Sequence, residues 1–172
     1  MAARIGEAKV TGFPVCVSRR EARVDAYQKA FEEGRHRIYS LAFWMTDNEL
    51  LAEELAVNTF CRAFALSPVP DAESLERALI AELHQLMPLG SLTLQCDPCS
   101  AAAGLRHNIK RADLERAIVQ LSPTERLIFL LHDVECHEHA RIGRLLGLSP
   151  QESACGLHQA RLRLRELLAA GT

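Results

Sequence analysis

The chain of 172 residues is long enough to bury one core or two small ones, and its composition, 48% apolar but only 5% aromatic, suits helices packed through leucine and alanine. The formal net charge of −2 excludes a protein drawn to nucleic acid by a global positive field, so DNA binding would have to rest on local patches or on a partner. No apolar run reaches the length of a membrane span and no signal-peptide-like segment opens the chain, so we expect a cytoplasmic protein without membrane insertion.

The first segment of the chain shows no firm periodicity. A glycine and a proline interrupt its apolar residues, so residues 1–24 are predicted to form a flexible, solvated arm. From Asp25 to Met45, apolar residues recur at helical spacing, which predicts a helix with one apolar face. Gly34 lies within this helix, where glycine costs about 1 kcal/mol relative to alanine, and it is expected to bend or split the helix.

A second amphipathic helix is predicted over residues 52–64. One face carries small and apolar side chains, and the acids Glu53 and Glu54 lie largely off that face. Exposed acids beside a narrow apolar stripe suit a basic, helical partner. The same pattern is also typical of an ordinary surface helix whose acidic face is simply solvated.

The next predicted helix, residues 71–87, follows a break rich in proline and ends before Pro88. Its leucines face inward, and its other side is predicted to be acidic through Glu73, Glu76 and Glu82, against a single arginine and no aromatic residue. Such a surface repels phosphates and offers no stacking platform for single-stranded DNA.

Residues 88–110 contain glycine, proline and an alanine-rich patch, and they are predicted to link two helical domains, residues 25–87 and 111–172. Cys96 and Cys99 within this linker form a Cys-x-x-Cys pair, which can supply half of a zinc site or a dithiol switch. The sequence holds no second such pair and no zinc-finger spacing, so idle, reduced cysteines are favoured. No cofactor is predicted.

Helix start and stop signals define the C-terminal segment. A short helix is predicted over 113–120, and residues 122–125 offer a Ser-Pro-x-Glu start with a serine N-cap, proline at the first position and a capping box. A further helix, over about 137–146, stops at Gly147, and residues 149–152 repeat the Ser-Pro-x-Glu start. Two helices separated by so short a turn predict a helix-turn-helix.

Two parts of the sequence together resemble the extracytoplasmic-function (ECF) sigma factors of the sigma-70 family. The similarity to the promoter-recognising domain lies in Leu121-Ser122-Pro123 with Glu125-Arg126, in Ile142 before Leu145-Leu146-Gly147-Leu148-Ser149, and in Leu157-His158 before Ala160-Arg161. The Ala-Glu-acid-Leu start and Thr-Phe-x-Arg-Ala-aromatic end of residues 52–64 are similar to the stretch that grips the RNA polymerase β′ clamp helices. The resemblance implies an all-α protein of two small helical domains, a sigma domain 2-like bundle and a sigma domain 4-like helix-turn-helix, joined by a linker.

The resemblance also implies a function, that of a sigma factor and not an enzyme. Such a protein binds core RNA polymerase and directs promoter-specific initiation, with the β′ clamp helices, the β flap, promoter DNA and an anti-sigma factor as partners. The implied polymerase-binding residues are Glu53, Glu54, Leu55, Asn58, Phe60, Arg62 and Phe64. The implied DNA-binding residues are Arg141, Arg144, Ser149, Gln151, Glu152, Ser153, His158, Arg161, Arg163 and Arg165.

Two alternatives stay open. The first is a sigma-like interaction protein that binds polymerase or an anti-sigma factor without full promoter activity. The acidic helix over 71–87 favours it, as do Ala154, Gly156 and Gln159, which stand where family members often carry lysine or arginine. The second is a DNA-binding regulator of another helix-turn-helix class, which leaves the similarity of residues 52–64 unexplained.

Overall fold

The computed structural model describes residues 14–92 and 109–170, with side chains from Arg19 onward, and these residues form helices and connecting turns without any strand. The all-α prediction is confirmed. The helices are α1 (Pro14–Thr46), α2 (Glu49–Leu66), α3 (Ala72–Leu86), α4 (Arg111–Val119), α5 (Pro123–Phe129), α6 (His139–Leu146) and α7 (Pro150–Ala170), and a π-helical turn (Leu130–Val134) continues α5. None of the helices described is both long enough and apolar enough to cross a bilayer.

Helix α1 begins earlier than the sequence indicated. It starts at Pro14, so the described part of the predicted flexible arm is helical, and it runs unbroken through Gly34. A Cβ atom added to Gly34 would lie 2.7 Å from Cδ1 of Leu75, because α1 approaches α3 closely at this point. Gly34 therefore permits packing and does not split the helix. The helix ends where Asp47 adopts a left-handed conformation with φ of 52°.

Helices α1, α2 and α3 pack on one another and form the N-terminal group. Ile38 and Met45 of α1, Leu55 of α2 and Leu83 of α3 are buried in its core. Each such side chain contributes on the order of 1.5–3 kcal/mol by leaving water. Asn48 fixes the start of α2, since its side-chain oxygen accepts a hydrogen bond of 3.1 Å from the backbone N–H of Leu51.

Helices α4 to α7 form the C-terminal group, and local signals set their boundaries. The predicted capping box at Ser122 is present: the backbone N–H of Glu125 donates to Ser122 Oγ over 3.4 Å, and Ser122 donates back to the Glu125 carboxylate. Helix α4 begins two residues before Asp113, whose carboxylate accepts a hydrogen bond of 3.0 Å from the backbone N–H of Lys110.

The two groups are not separated by solvent, because one apolar cluster extends through both. Leu127, Leu131 and Ile142 belong to the same buried cluster as the core of the N-terminal group. Arg126, just after the start of α5, reinforces this contact by donating a 2.9 Å hydrogen bond to the carbonyl oxygen of Met45 at the end of α1. The described parts of the predicted domains, residues 25–87 and 111–170, thus pack directly against each other.

Candidate functional site

A tight turn joins α6 to α7. Gly147 adopts a left-handed conformation with φ of 70° and accommodates the end of α6, as the sequence predicted. The backbone N–H of Leu148 then donates to the carbonyl of Gly143 over 2.9 Å. A side chain at Gly143 would place its Cβ 2.5 Å from the carbonyl oxygen of Leu148, so only glycine fits under this turn. The two helices form a helix-turn-helix.

The start of α7 is fixed by a second capping box. The backbone N–H of Ser149 donates to the Glu152 carboxylate over 2.7 Å, and the backbone N–H of Glu152 donates to Ser149 Oγ over 3.1 Å. The hydrogen bonds from the backbone and then from the hydroxyl of Ser149 lower the pKa of Glu152 below its usual value. Ser149 and Glu152, both predicted to contact DNA, are exposed but hold the helix end in place.

One exposed face of α7 carries three of the predicted DNA-binding residues. Gln151, His158 and Arg165 are spaced seven residues apart, or nearly two full turns, so they align on the same side of the helix, and all three are exposed. Arg163 is exposed on the opposite side of α7. Arg144 is exposed on α6.

Ser153 does not belong to this exposed face. Its side chain is fully buried, and its hydroxyl lies 3.1 Å from Nδ1 of His139, the first residue of α6. Burial and the neighbouring positive groups lower the pKa of His139. The predicted DNA contact by Ser153 is therefore incompatible with this arrangement, because the side chain joins the two helices from inside.

Two of the predicted DNA-binding arginines are already paired. Arg161 forms a bidentate ion pair with Asp133, in which Nη2 donates to Oδ1 over 2.6 Å and Nε donates to Oδ2 over 3.1 Å. This pair connects α7 to the π-helical turn. Burial alone would raise the pKa of Asp133, but the hydrogen bonds from Arg161 and His132 outweigh it and lower that pKa. Arg141 of α6 pairs with Glu76 of α3, at the junction of the two groups.

The predicted polymerase-binding helix divides into an inner and an outer face. Leu55 and Phe60 are buried in the core, only 2% and 6% exposed, and so support α2 from inside. Phe64 is half-buried and stacks on Tyr27 at 4.4 Å between ring centroids, and Arg62 pairs with Glu82 of α3.

The outer face of α2 keeps the remaining three predicted residues, Glu53, Glu54 and Asn58, all of them exposed. Leu50 and Val57 lie on the same face and are 77% and 61% exposed, and neither was among the predicted contacts. Both residues lie opposite the face of small and apolar side chains, and this position in the sequence indicates that they are exposed. We refer to Leu50, Glu53, Glu54, Val57 and Asn58 as the α2 outer face.

Helix α3 differs from its predicted acidic character. Glu76 is buried and paired with cations from other helices, and Glu82 is largely buried against Arg62. Of the three acids expected on its outer side, only Glu73 is exposed. The predicted repulsion of phosphates is thus much weaker than the sequence indicated. Helix α3 still lacks an aromatic residue on which a base can stack.

Residues 111–164 match sigma-70 region 4. The matched segment runs from the start of α4 through most of α7, so it contains the whole helix-turn-helix and the helices that support it. No curated protein matches the chain. The family match supports a sigma-70 relationship and a sigma-factor-like, DNA-binding role in transcription initiation. We call α4 to α7 the region 4 segment.

The described part of the chain contains no group of side chains that suits a metal ion. Cys96 and Cys99 lie outside the described residues. Within 14–92 and 109–170, no three His, Cys, Asp or Glu side chains group in a way that suits a metal ion. Cys61 is exposed, and Cys155 is half-buried.

Proposed function

We propose that the chain is an ECF-type sigma factor that binds core RNA polymerase through the α2 outer face and directs it to promoters through the region 4 segment. The observation that carries the proposal is the match of residues 111–164 to sigma-70 region 4 together with the helix-turn-helix centred on Gly147. The protein acts by binding, in the cytoplasm, and the polymerase supplies the chemistry.

The α2 outer face suits a basic helical partner for two physical reasons. Leu50 and Val57 expose apolar surface about two helical turns apart, which a partner helix can cover. Glu53 and Glu54 flank this surface with negative charge, which orients and accelerates the approach of a positive partner. The clamp helices of the polymerase β′ subunit are the partner that the sequence resemblance implies.

The exposed face of α7 supplies the proposed contacts to duplex DNA. Gln151 and His158 lie toward its N-terminal half, where the recognition helix of a helix-turn-helix meets base edges. Arg165 and, on α6, Arg144 are exposed cations that suit phosphates on either side. Because these exposed cations are few and the net charge is −2, binding to DNA alone is weak. Tethering by polymerase is therefore needed.

Run-off transcription with core polymerase tests the proposal. The chain is expected to produce transcripts with defined starts, and the double variant Glu53→Lys/Glu54→Lys is expected to lose both polymerase retention and transcript. Glu32→Lys/Glu33→Lys is the matched control, because Glu32 and Glu33 are an adjacent, exposed acid pair on α1 of the same group. Equal loss in both double variants contradicts the proposed α2 interface.

A second function, that of a sigma-like interaction protein, is favoured by one observation. Helix α3 offers no aromatic residue and only Arg77 as an exposed cation, so it lacks the means to hold a melted DNA strand. Such a protein binds polymerase or an anti-sigma factor and modulates transcription without starting it. Polymerase binding without any promoter-specific transcript is the result that supports this function.

A further inference from the structure

Two histidine rings stack where the π-helical turn meets the helix-turn-helix. The rings of His132, in that turn, and His139, the first residue of α6, have centroids 4.6 Å apart and planes inclined by 21°. Nδ1 of His139 lies 3.1 Å from the hydroxyl oxygen of Ser153, which is fully buried on α7. These contacts join three elements of the region 4 segment: the π-helical turn, α6 and α7. We refer to His132 and His139 as the histidine pair.

The surroundings of the histidine pair disfavour a second positive charge. Burial, and then the charge of a protonated His132 and that of Arg161, lower the pKa of His139. Asp133 opposes this effect, but its carboxylate also forms the bidentate pair with Arg161 and lies 2.8 Å from Nδ1 of His132. His139 is therefore uncharged at about pH 7 even when His132 holds a proton.

Acidification changes the balance within the histidine pair. When both rings are protonated, two positive charges face each other at a centroid separation of 4.6 Å, at which unit charges repel strongly. Glu76, the acid of α3 that reaches α6, is paired with Arg141 and not with His139. Because the folded arrangement lowers the pKa of His139 below its usual value of 6.5, the stability that the arrangement contributes is present above that pH and is lost as the pH falls.

Separation of the two rings ends the contact between His139 and Ser153 and shifts α6 against α7. Resting on the proposed function, we propose that the histidine pair makes the helix-turn-helix sensitive to acid: the region 4 segment binds duplex DNA while the pair holds at most one proton, and loses duplex affinity when both rings are protonated. A recognition helix reaches base edges only when the preceding helix holds it in the correct orientation. Histidine is the side chain that titrates closest to neutral pH, so such a pair responds to mild acidification.

The pH dependence of the full chain tests the proposal. His132→Phe keeps an aromatic ring beside His139 but cannot take up a proton. His84→Phe is the matched control, because it makes the same change at an exposed histidine of α3, outside the region 4 segment. The midpoint of thermal unfolding and the binding of a labelled duplex DNA at low salt are measured for the unmodified chain and both variants, at about pH 7.5 and about pH 5.5, on either side of the ordinary pKa of histidine.

Acidification is expected to weaken duplex binding about tenfold more in the unmodified chain and in His84→Phe than in His132→Phe, which is the effect of one pH unit when loss of binding is coupled to the uptake of one proton. The unfolding midpoints of the first two chains are also expected to fall further. Equal pH dependence of both measurements in all three chains overturns the proposal. Midpoints that differ as expected, with no duplex binding by any chain at the higher pH, support the acid-sensitive pair but overturn the proposed DNA function, so the two failures are distinguishable.

A second variant separates the loss of charge from the loss of packing. His139→Gln removes the titrating group from the other member of the pair, while its amide keeps a polar partner for Ser153. This variant is expected to reduce the pH dependence of duplex binding in the same way as His132→Phe, and far-ultraviolet circular dichroism is expected to show unchanged helix content at the higher pH. Undiminished pH dependence of duplex binding in His139→Gln overturns the proposal, because the proposed repulsion requires both rings.

Discussion

Replacing Arg126 by methionine tests how strongly the two groups depend on each other. The guanidinium donates hydrogen bonds to Met45 at 2.9 Å and to Leu121 at 3.2 Å, and it also contacts the carbonyl oxygens of Trp44 and Val119. It thus ties the C-terminal ends of α1 and α4 to the start of α5. These carbonyls carry the negative end of the helix dipole, which favours a cation.

The magnitude follows from the two bonds of ordinary length. A hydrogen bond to a charged group contributes about 1.5 kcal/mol at the lower end of its range, so Arg126→Met is expected to lower the free energy of unfolding by about 3 kcal/mol. Burial lowers the pKa of Arg126, because the charged guanidinium loses hydration there. This loss of hydration offsets part of the stabilisation from the hydrogen bonds. Urea denaturation measures the change, and a slope of about 2 kcal/mol per molar predicts a midpoint shift of about 1.5 M.

The control is Arg163→Met, which removes an exposed arginine from α7 and is expected to change stability by less than about 0.5 kcal/mol. A shift for Arg126→Met no larger than that of the control refutes the role assigned to this side chain. Because the apolar cluster is continuous, unfolding is expected in a single transition. Two separate transitions in the unmodified chain refute that continuity.

Three further predictions concern the two interfaces and the N-terminal cap of α7. Glu53→Lys/Glu54→Lys is expected to reduce polymerase retention in a pull-down about tenfold, since it reverses the charge beside the exposed apolar residues of α2; unchanged retention places the interface elsewhere. Arg165→Ala is expected to lower the salt slope of duplex binding by about 1, and Arg163→Ala, on the far side of α7, to leave it unchanged; equal slopes contradict the assigned face. Ser149→Ala is expected to lower the free energy of unfolding by about 1 kcal/mol, measured by thermal melting, through loss of the cap on α7.

Local signals made much of the fold predictable. The serine starts at Ser122 and Ser149 and the stop at Gly147 act within three or four residues, so the sequence contains all the groups involved. The α1 start at Pro14 escaped prediction because that segment lacks the apolar periodicity that packing against other helices imposes.

Long-range contacts were not predictable in the same way. Glu76 looked like a solvated acid on an amphipathic helix, but its partners Arg37 and Arg141 are 39 and 65 residues away. Leu55 and Phe60 illustrate a second limit. The family resemblance indicated both as polymerase contacts, but the neighbouring helices bury both in the core. Val57 was overlooked although its position opposite the small, apolar face of α2 indicates exposure.

Transcription by core RNA polymerase on genomic fragments from the organism that encodes the chain, followed by mapping of the transcript starts, tests the sigma-factor account most directly. The account predicts transcripts that require both the chain and the polymerase, that begin downstream of a shared sequence motif, and that disappear with Glu53→Lys/Glu54→Lys but persist with Glu32→Lys/Glu33→Lys. Stable polymerase binding with no transcript that depends on the chain contradicts it and assigns the chain to the interaction proteins instead.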